Sequence, residues 1–483
     1  REGAMRETVL HSLKWVAFGK AIGQSVRWVT TIFTLQFLFP EDYAVIALST
    51  FFMALSWSFS RGGIAPALIR EKNIDDHLVG EFFTLSIIAH FLLFILLQIL
   101  AEPLATFYGD ARLEDVIRVT SLTFIISLIG FIPSTLLNRE MLFKKLAMVD
   151  AIAESIGALA TVTLAWLGYG YWSIVFGVVL TEILKQVGYL FRSPSWIWPK
   201  KFTERIKNTY EFAWRAATQS ALGYIIFNVD VAIAGVFLSI TELGIYQFAV
   251  VLAMMPAAKV LPMLRQIALP VYAKIQDEPA SLEWYFLKTQ RISALIFVPV
   301  FWGMGGTAFV LIPTVFGEKW SDAAMVIAVY CISMPIKSLQ QLFSPLMKAT
   351  GHMKVVLSNT LLYGLILIPS FFVGAQFGGV GIAISWLAAF GFAFFLATYR
   401  SCRALNISFR HYLGSIYKVH LYGGVMAVAC LLIGHYIDLV HPLITLAIQV
   451  IAGALIYLGL IWIFSRGYLK ELVEMFRGKI AKT

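Results

Sequence analysis

Apolar runs near or above twenty residues recur from one end of this chain to the other, and no other feature narrows its choice of folds so far. A helix needs about twenty such residues to cross the ~30 Å hydrocarbon core of a bilayer. Inside that core every backbone N–H and C=O must find a partner, which leaves only helices and closed barrels. Ten-residue segments of alternating polarity, the mark of a membrane barrel, do not occur. Of 483 residues, 59% are hydrophobic and 14% charged, more apolar surface than a water-soluble chain of this length hides. The sequence predicts an all-α polytopic membrane protein.

Charged breaks divide the apolar runs into candidate spans at 12–38, 43–66, 81–105, 115–137, 147–167, 171–191, 210–237, 243–271, 285–313, 322–348, 353–375, 379–400, 416–437 and 442–465. Lys and Arg crowd one set of connections, including Arg70 and Lys72, Arg139 with Lys144 and Lys145, and Arg192 through Lys207. The alternate set is nearly bare, interrupted only by Arg112 and Lys319. The positive-inside rule therefore predicts cytoplasmic N and C termini. It also makes the net charge of +10 topological, so a nucleic-acid partner is not needed to explain it. The four residues before Met5 are expected to be foreign to the natural chain, and charges that run into the first apolar run argue against a cleaved leader. The stretch 192–212 mixes Trp, Lys and Arg like an interfacial segment. Leu469, Leu472, Val473, Phe476 and Ile480 share one face of an expected amphipathic surface helix.

An ionisable side chain in mid-membrane costs about 2.5–3.5 kcal/mol on insertion scales, so it normally faces protein or a water-filled cavity. Lys20, Gln24, Arg27, Thr31 and Thr34 follow one another by four, three, four and three residues, one stripe of a helix. Lys259 and Arg265 lie in a run broken by Pro256, Pro262 and Pro270, and Lys337 lies beside Pro335. Arg61 and Arg215 sit nearer the basic ends of their spans, where they are either cavity residues or interface anchors. Glu182 has Lys185 three residues on, which predicts a self-neutralising pair. Asp230, with Asn228 nearby, is the best isolated membrane carboxylate. It is a candidate for proton titration, cation binding or pairing with Arg. Fixed positive charge exceeds negative among these residues. That favours an anionic ligand, whether a soluble anion, a lipid phosphate or a polyphosphate-linked carrier. No phosphate-cradling glycine loop, HExxH or nucleophile elbow appears, and Cys331, Cys402 and Cys430 lack metal or disulfide spacing. "GMGG" at 303–306 reads as close helix packing. No metal or cofactor is expected, apart from coupling to an H+ or Na+ gradient through Asp230 or Glu182.

"PEDYAVIALSTFFMALSWSFSRGGIAPALI" at 40–69 and "ELGIYQFAVVLAMMPAAKVLPMLRQIALPVYAKIQ" at 242–276 both follow an unusually polar helix and both carry an Arg shortly before an Ala/Pro-containing exit. They resemble the paired signatures of bacterial polysaccharide-export flippases, in the multidrug/oligosaccharidyl-lipid/polysaccharide superfamily. The resemblance covers nearly the whole chain. It implies two six-helix lobes around a central cavity, at 12–191 and 210–400, joined by an interfacial linker at 192–209. Two added helices would follow at 416–465, then a cytoplasmic amphipathic tail at 466–483. It further implies transport of an oligosaccharide on polyprenyl diphosphate to the outer leaflet of the bacterial inner membrane. Export machinery such as a polysaccharide polymerase would be a partner. The residues then assigned to the diphosphate or its cavity are Lys20, Gln24, Arg27, Arg61, Arg215, Lys259, Arg265 and Lys337. Competing readings are a peptidoglycan-precursor flippase or other exporter of the superfamily, and a membrane glycan polymerase or ligase. The last should display a long outside loop with catalytic Arg or His, and the outside connections here are short.

Overall fold

The structure is a computed structural model. It describes residues 30, 32–71, 74–140, 142–193, 197–258, 261, 272, 275, 278–437 and 441–476. Among these there are sixteen α-helices with both ends described, a further helical stretch at 32–37, one short 3-10 turn (Glu318–Trp320) and no strand. In order the helices are α1 (Pro40–Arg70), α2 (Asp76–Tyr108), α3 (Arg112–Ser127), α4 (Phe131–Arg139), α5 (Phe143–Trp166), α6 (Trp172–Arg192), α7 (Arg205–Phe237) and α8 (Ile240–Met254). There follow α9 (Pro279–Phe316), α10 (Ala323–Gln340), α11 (Phe343–Ala349), α12 (Met353–Ala375), α13 (Gly378–Ala404), α14 (Phe409–Tyr436), α15 (Pro442–Phe464) and α16 (Arg466–Phe476).

Eleven helical segments of the described residues are long and apolar enough to cross a membrane, or twelve if α3 and α4 form one bent span. They match twelve of the fourteen expected runs. Of the other two, 12–38 lies largely outside the described residues, and 243–271 is described mainly through α8. The run 115–137 is not one straight helix, because α3 and α4 meet at a 57° bend. Pro133 has no N–H to offer the carbonyl four residues before it. At Gly130 an added Cβ would strike Gln186 of α6, so the backbone turns where a neighbouring helix presses against it.

Local chemistry sets the helix ends. Asp75 caps α2 by accepting the Leu78 N–H at 2.8 Å, and Gly109 closes that helix in the left-handed region at φ +72°, where a Cβ would be strained. Ser239 and Glu242 cap α8 reciprocally. Arg112, an exception on the bare side, is held by Asp110 at 2.7 Å and Asp42 at 3.5 Å, so its charge is locally cancelled.

The chain divides into two compact units, Arg1–Val236 and Phe237–Thr483. The boundary falls at the last residue of α7. In the first unit α7 rests on α1, with Gly63 allowing the Ala213 carbonyl to approach and Phe51 facing Tyr224. In the second unit α9 runs along α10 and α14, and α12 along α13. The "GMGG" reading holds in that unit. Cβ atoms on Gly305 and Gly306 would crowd the backbones of α10 and α14, at Ala328 and Ala427.

Candidate functional site

Among the described residues, the densest group of membrane charges lies where side chains of α1, α5 and α6 meet in the first unit. Two helices can approach closely only where their facing residues are small. Here Gly157 of α5 faces Thr181 of α6, and Gly177 of α6 faces Thr161 of α5. Each threonine hydroxyl turns back onto its own helix, accepted by the carbonyl four residues earlier. This reciprocal contact brings the polar residues one or two turns away within reach of each other.

Lys185 Nζ lies 2.9 Å from Glu154 Oε1 and 3.8 Å from Asp150 Oδ1. Tyr189 donates its hydroxyl to Asp150. Glu182 is paired elsewhere: Arg61 Nη2 donates to its Oε1 at 3.1 Å, and Gln186 Nε2 donates to the same oxygen at 2.6 Å. The expected Glu182–Lys185 pair is therefore corrected. The two residues share a helix, but each finds its partner on a different neighbouring helix. Arg61 also lies over Trp57, with its guanidinium carbon 3.9 Å from the ring centroid, and Trp57 stacks on Phe124 at 4.3 Å. Its side chain is 55% exposed against 15% for Glu182, so the guanidinium can be approached from outside the pair.

A cavity of about 330 Å³ adjoins this network, lined by Thr30, Thr34, Tyr43, Glu154, Thr161, Thr181 and Glu182 together with apolar residues. That size is at the lower end of pockets that hold small molecules. Hydroxyls and two carboxylates face it. The network counts two cations, Arg61 and Lys185, against three carboxylates, a formal excess of one negative charge among the described residues. The positive excess expected for a cavity rests on Lys20, Arg27, Lys259 and Arg265, which lie outside the described residues, as does Gln24.

The remaining candidates do not join this group. Arg215 Nη2 donates to Glu211 Oε1 at 2.6 Å along its own helix, and both side chains are mostly exposed. Asp230, also on α7, is 2% exposed. Near it the Asn228 amide donates to the Tyr224 carbonyl at 2.9 Å. Lys337, in the second unit, is 6% exposed. Its ammonium sits 3.6 Å from the Trp386 ring centroid and donates to Tyr330 Oη at 3.1 Å.

Sequence reasoning missed two features. Asp150 and Glu154, both on α5, are the partners of Lys185. His90 was one histidine among several, yet it is fully buried between α1 and α2. Its Nδ1 lies 2.7 Å from the Ser86 carbonyl and so carries the proton, while Nε2 accepts from Ser60 at 2.8 Å.

Comparison with known proteins places this architecture. A membrane protein from the cps region of Klebsiella pneumoniae is 23% identical over 99% of this chain and 100% of its own length. The succinoglycan biosynthesis transport protein ExoT of Rhizobium meliloti is 22% identical over 79% of this chain and 77% of its own. Among solved structures, the lipid II flippase MurJ in an inward closed conformation superposes with a TM-score of 0.76 at 15% identity, covering 94% of this chain and 99% of that one. A transporter of the multidrug/oligosaccharidyl-lipid/polysaccharide superfamily also shares the fold. The roles named among these proteins are transport and flipping rather than catalysis. Residues 36–325, more than half of the chain, match the polysaccharide biosynthesis protein family, and the chain belongs to that family as a polytopic helical membrane protein with the fold of superfamily transporters.

Proposed function

We propose that this protein flips oligosaccharide units carried on polyprenyl diphosphate from the cytoplasmic to the outer leaflet of a bacterial inner membrane, for exopolysaccharide, capsule or O-antigen assembly. The observation that carries the reading is Arg61: a half-exposed guanidinium in a membrane helix, next to a hydroxyl-lined cavity and held by one exchangeable carboxylate. A guanidinium fork suits phosphate oxygens. Arg61 leaves Glu182 for the diphosphate when substrate arrives, and Lys20, Arg27, Lys259 and Arg265 add positive charge. Threonine hydroxyls around the cavity bond the first sugars, while the prenyl chain stays in lipid. The two lobes alternate access, with the termini cytoplasmic. Glu182, released by Arg61, or buried Asp230 takes up a proton or Na+ and links the cycle to a gradient. Export enzymes that polymerise the unit receive it on the far side.

The test is flipping of a labelled polyprenyl-diphosphate oligosaccharide by the purified protein in liposomes, with and without a pH or Na+ gradient. Gradient-sensitive exposure of label is the expected result, and no exposure above protein-free liposomes overturns it. A second reading, flipping of the peptidoglycan precursor, is favoured by the fold shared with MurJ. Complementation in cells lacking one activity or the other separates the two.

A further inference from the structure

The first unit holds a second cavity of different character. About 520 Å³ in volume and almost wholly apolar, it lies between α1, α2 and α7. Gly63 and Ala213 bring α1 and α7 together at its base. Ile88, Leu92 and Leu96 along its edge are 43%, 61% and 48% exposed, so the groove opens sideways to hydrocarbon. From Leu85 to Leu100 it follows α2 for about 22 Å at 1.5 Å per residue, room for one extended acyl chain.

One end of this groove is unlike the rest. Tyr210 and Trp214 of α7 line it there and are both more than half exposed. Beside the same end the segment 197–203, which has no regular secondary structure, is pinned to the start of α2. The Lys200 N–H donates to the Gly80 carbonyl at 3.1 Å, and Thr84 Oγ1 donates to the Lys200 carbonyl at 2.7 Å. Thr203 Oγ1 donates to buried Glu81 at 2.7 Å, and Ile197 packs on the cluster around Phe82. The exposed Lys200 and Lys201 are thereby held beside the first turns of α2, close to Leu85 at this end of the groove, and neither forms an ion pair with a described residue. The second unit has an apolar groove of about 510 Å³ between α9, α14, α15 and α16. Next to α16, however, Arg291 is already occupied by Glu471.

We propose that the α1–α2–α7 groove is a binding site for one anionic glycerophospholipid. Its acyl chain lies along α2, its glycerol region meets Trp214 and Tyr210, and its phosphate is held by Lys200 and Lys201. Amphipathic aromatic rings settle at headgroup depth. A lysine near the surface strengthens attraction to an anionic headgroup by roughly fivefold at ordinary ionic strength. Two lysines predict a preference over a zwitterionic lipid of about 25-fold. This site is independent of the transport reading, and its failure leaves that reading untouched.

The experiment equilibrates the full-length purified protein with equal amounts of phosphatidylglycerol and phosphatidylcholine in mixed micelles. Retained lipid is then counted by mass spectrometry of the intact complex. Wild type should keep phosphatidylglycerol by about 25-fold. The surface double variant Lys200→Gln/Lys201→Gln should keep the two lipids alike, with an unchanged thermal unfolding temperature. Ala89→Phe, which fills the groove, should lose both lipids while leaving their ratio for any residual binding unchanged. Equal retention of the two lipids by wild type, or a preference that survives loss of both lysines, overturns the proposal. Retention of a polyprenyl phosphate in place of phosphatidylglycerol also overturns it, and would assign the groove to a prenyl chain instead.

Discussion

In the first unit Arg61 and Lys185 reach across helix interfaces to carboxylates, and Arg61 remains open on one side. In the second unit Lys337 is enclosed, with its ammonium against the Trp386 ring and the Tyr330 hydroxyl. Both cations lie over a tryptophan ring, Arg61 over Trp57 and Lys337 over Trp386, and they differ in that Arg61 adds a carboxylate and an open side while Lys337 is enclosed. An ion pair with one exposed member can exchange that member's partner for an incoming anion. A cation held against an aromatic face gains from the ring quadrupole, by more when it is desolvated, and it has no approach for a ligand without first unstacking the ring. On the proposed function, the first unit presents charge to substrate, while the second uses charge to hold helices together.

The largest effect should come from removing the ring. Trp386 is fully buried, with Tyr330, Phe371 and Phe390 around it. Trp386→Ala deletes a large core side chain and is expected to cost about 3–5 kcal/mol of stability, read as a drop in unfolding temperature in detergent. Lys337→Met keeps the volume and removes the charge. It should retain flipping. If Lys337→Met inserts and unfolds normally yet loses transport, the contrast between the units collapses, and Lys337 returns to the list of substrate ligands.

Next in size is Arg61→Ala. A charged hydrogen bond to substrate contributes about 1.5–3 kcal/mol, so transport should fall by roughly ten- to a hundredfold with little change in unfolding. The exchanged pair Arg61→Glu/Glu182→Arg restores an ion pair and sharpens the test. Normal stability without transport marks Arg61 as a ligand, and recovery of transport makes it a structural partner of Glu182.

A smaller effect is expected at the C-terminal helix. Arg291 meets Glu471 through two hydrogen bonds of 2.9 and 2.6 Å and lies over Tyr468. Glu471→Gln should cost on the order of 1 kcal/mol, since the pair is only partly buried. Faster limited proteolysis after Phe464, slowed again by exchanging the two charges, would show that the fork holds α16 on α9.

Most of the spans were legible because length and hydropathy report directly on the lipid solvent, and that signal does not depend on partners. The bend between α3 and α4 had a signal, Gly130 followed by Pro133, which a continuous apolar run concealed. Glu182 was read wrongly for a different reason. Spacing along one helix reveals which residues share a face and says nothing about the neighbouring helix. The sequence did contain a pointer to that neighbour: "GALAT" at 157–161 and "GVVLT" at 177–181 are matching small-residue pairs on consecutive helices. Two such patterns allow close crossing, and a close crossing puts Glu154 within reach of Lys185. His90 carried no pattern at all. Its partners, Ser60 and Ser86, become relevant only once α1 and α2 are packed.

The smallest effect, and the cleanest control for the first unit, belongs to Arg215. It is a membrane-helix arginine by sequence, as Arg61 is, and sequence alone gave both the same two readings. Arg215 instead pairs with Glu211 at i−4, with side chains 76% and 65% exposed. Solvent screens such a pair, and helix pairs of this spacing contribute about 0.3–0.5 kcal/mol. Arg215→Ala should therefore shift stability by no more than that and leave flipping within about twofold of wild type. The shift should vanish in high salt, where a surface pair is screened. A large transport loss at Arg215 with normal insertion would mean that exposure does not separate ligand from anchor in this unit, and the case for Arg61 would then rest on its position beside the cavity alone.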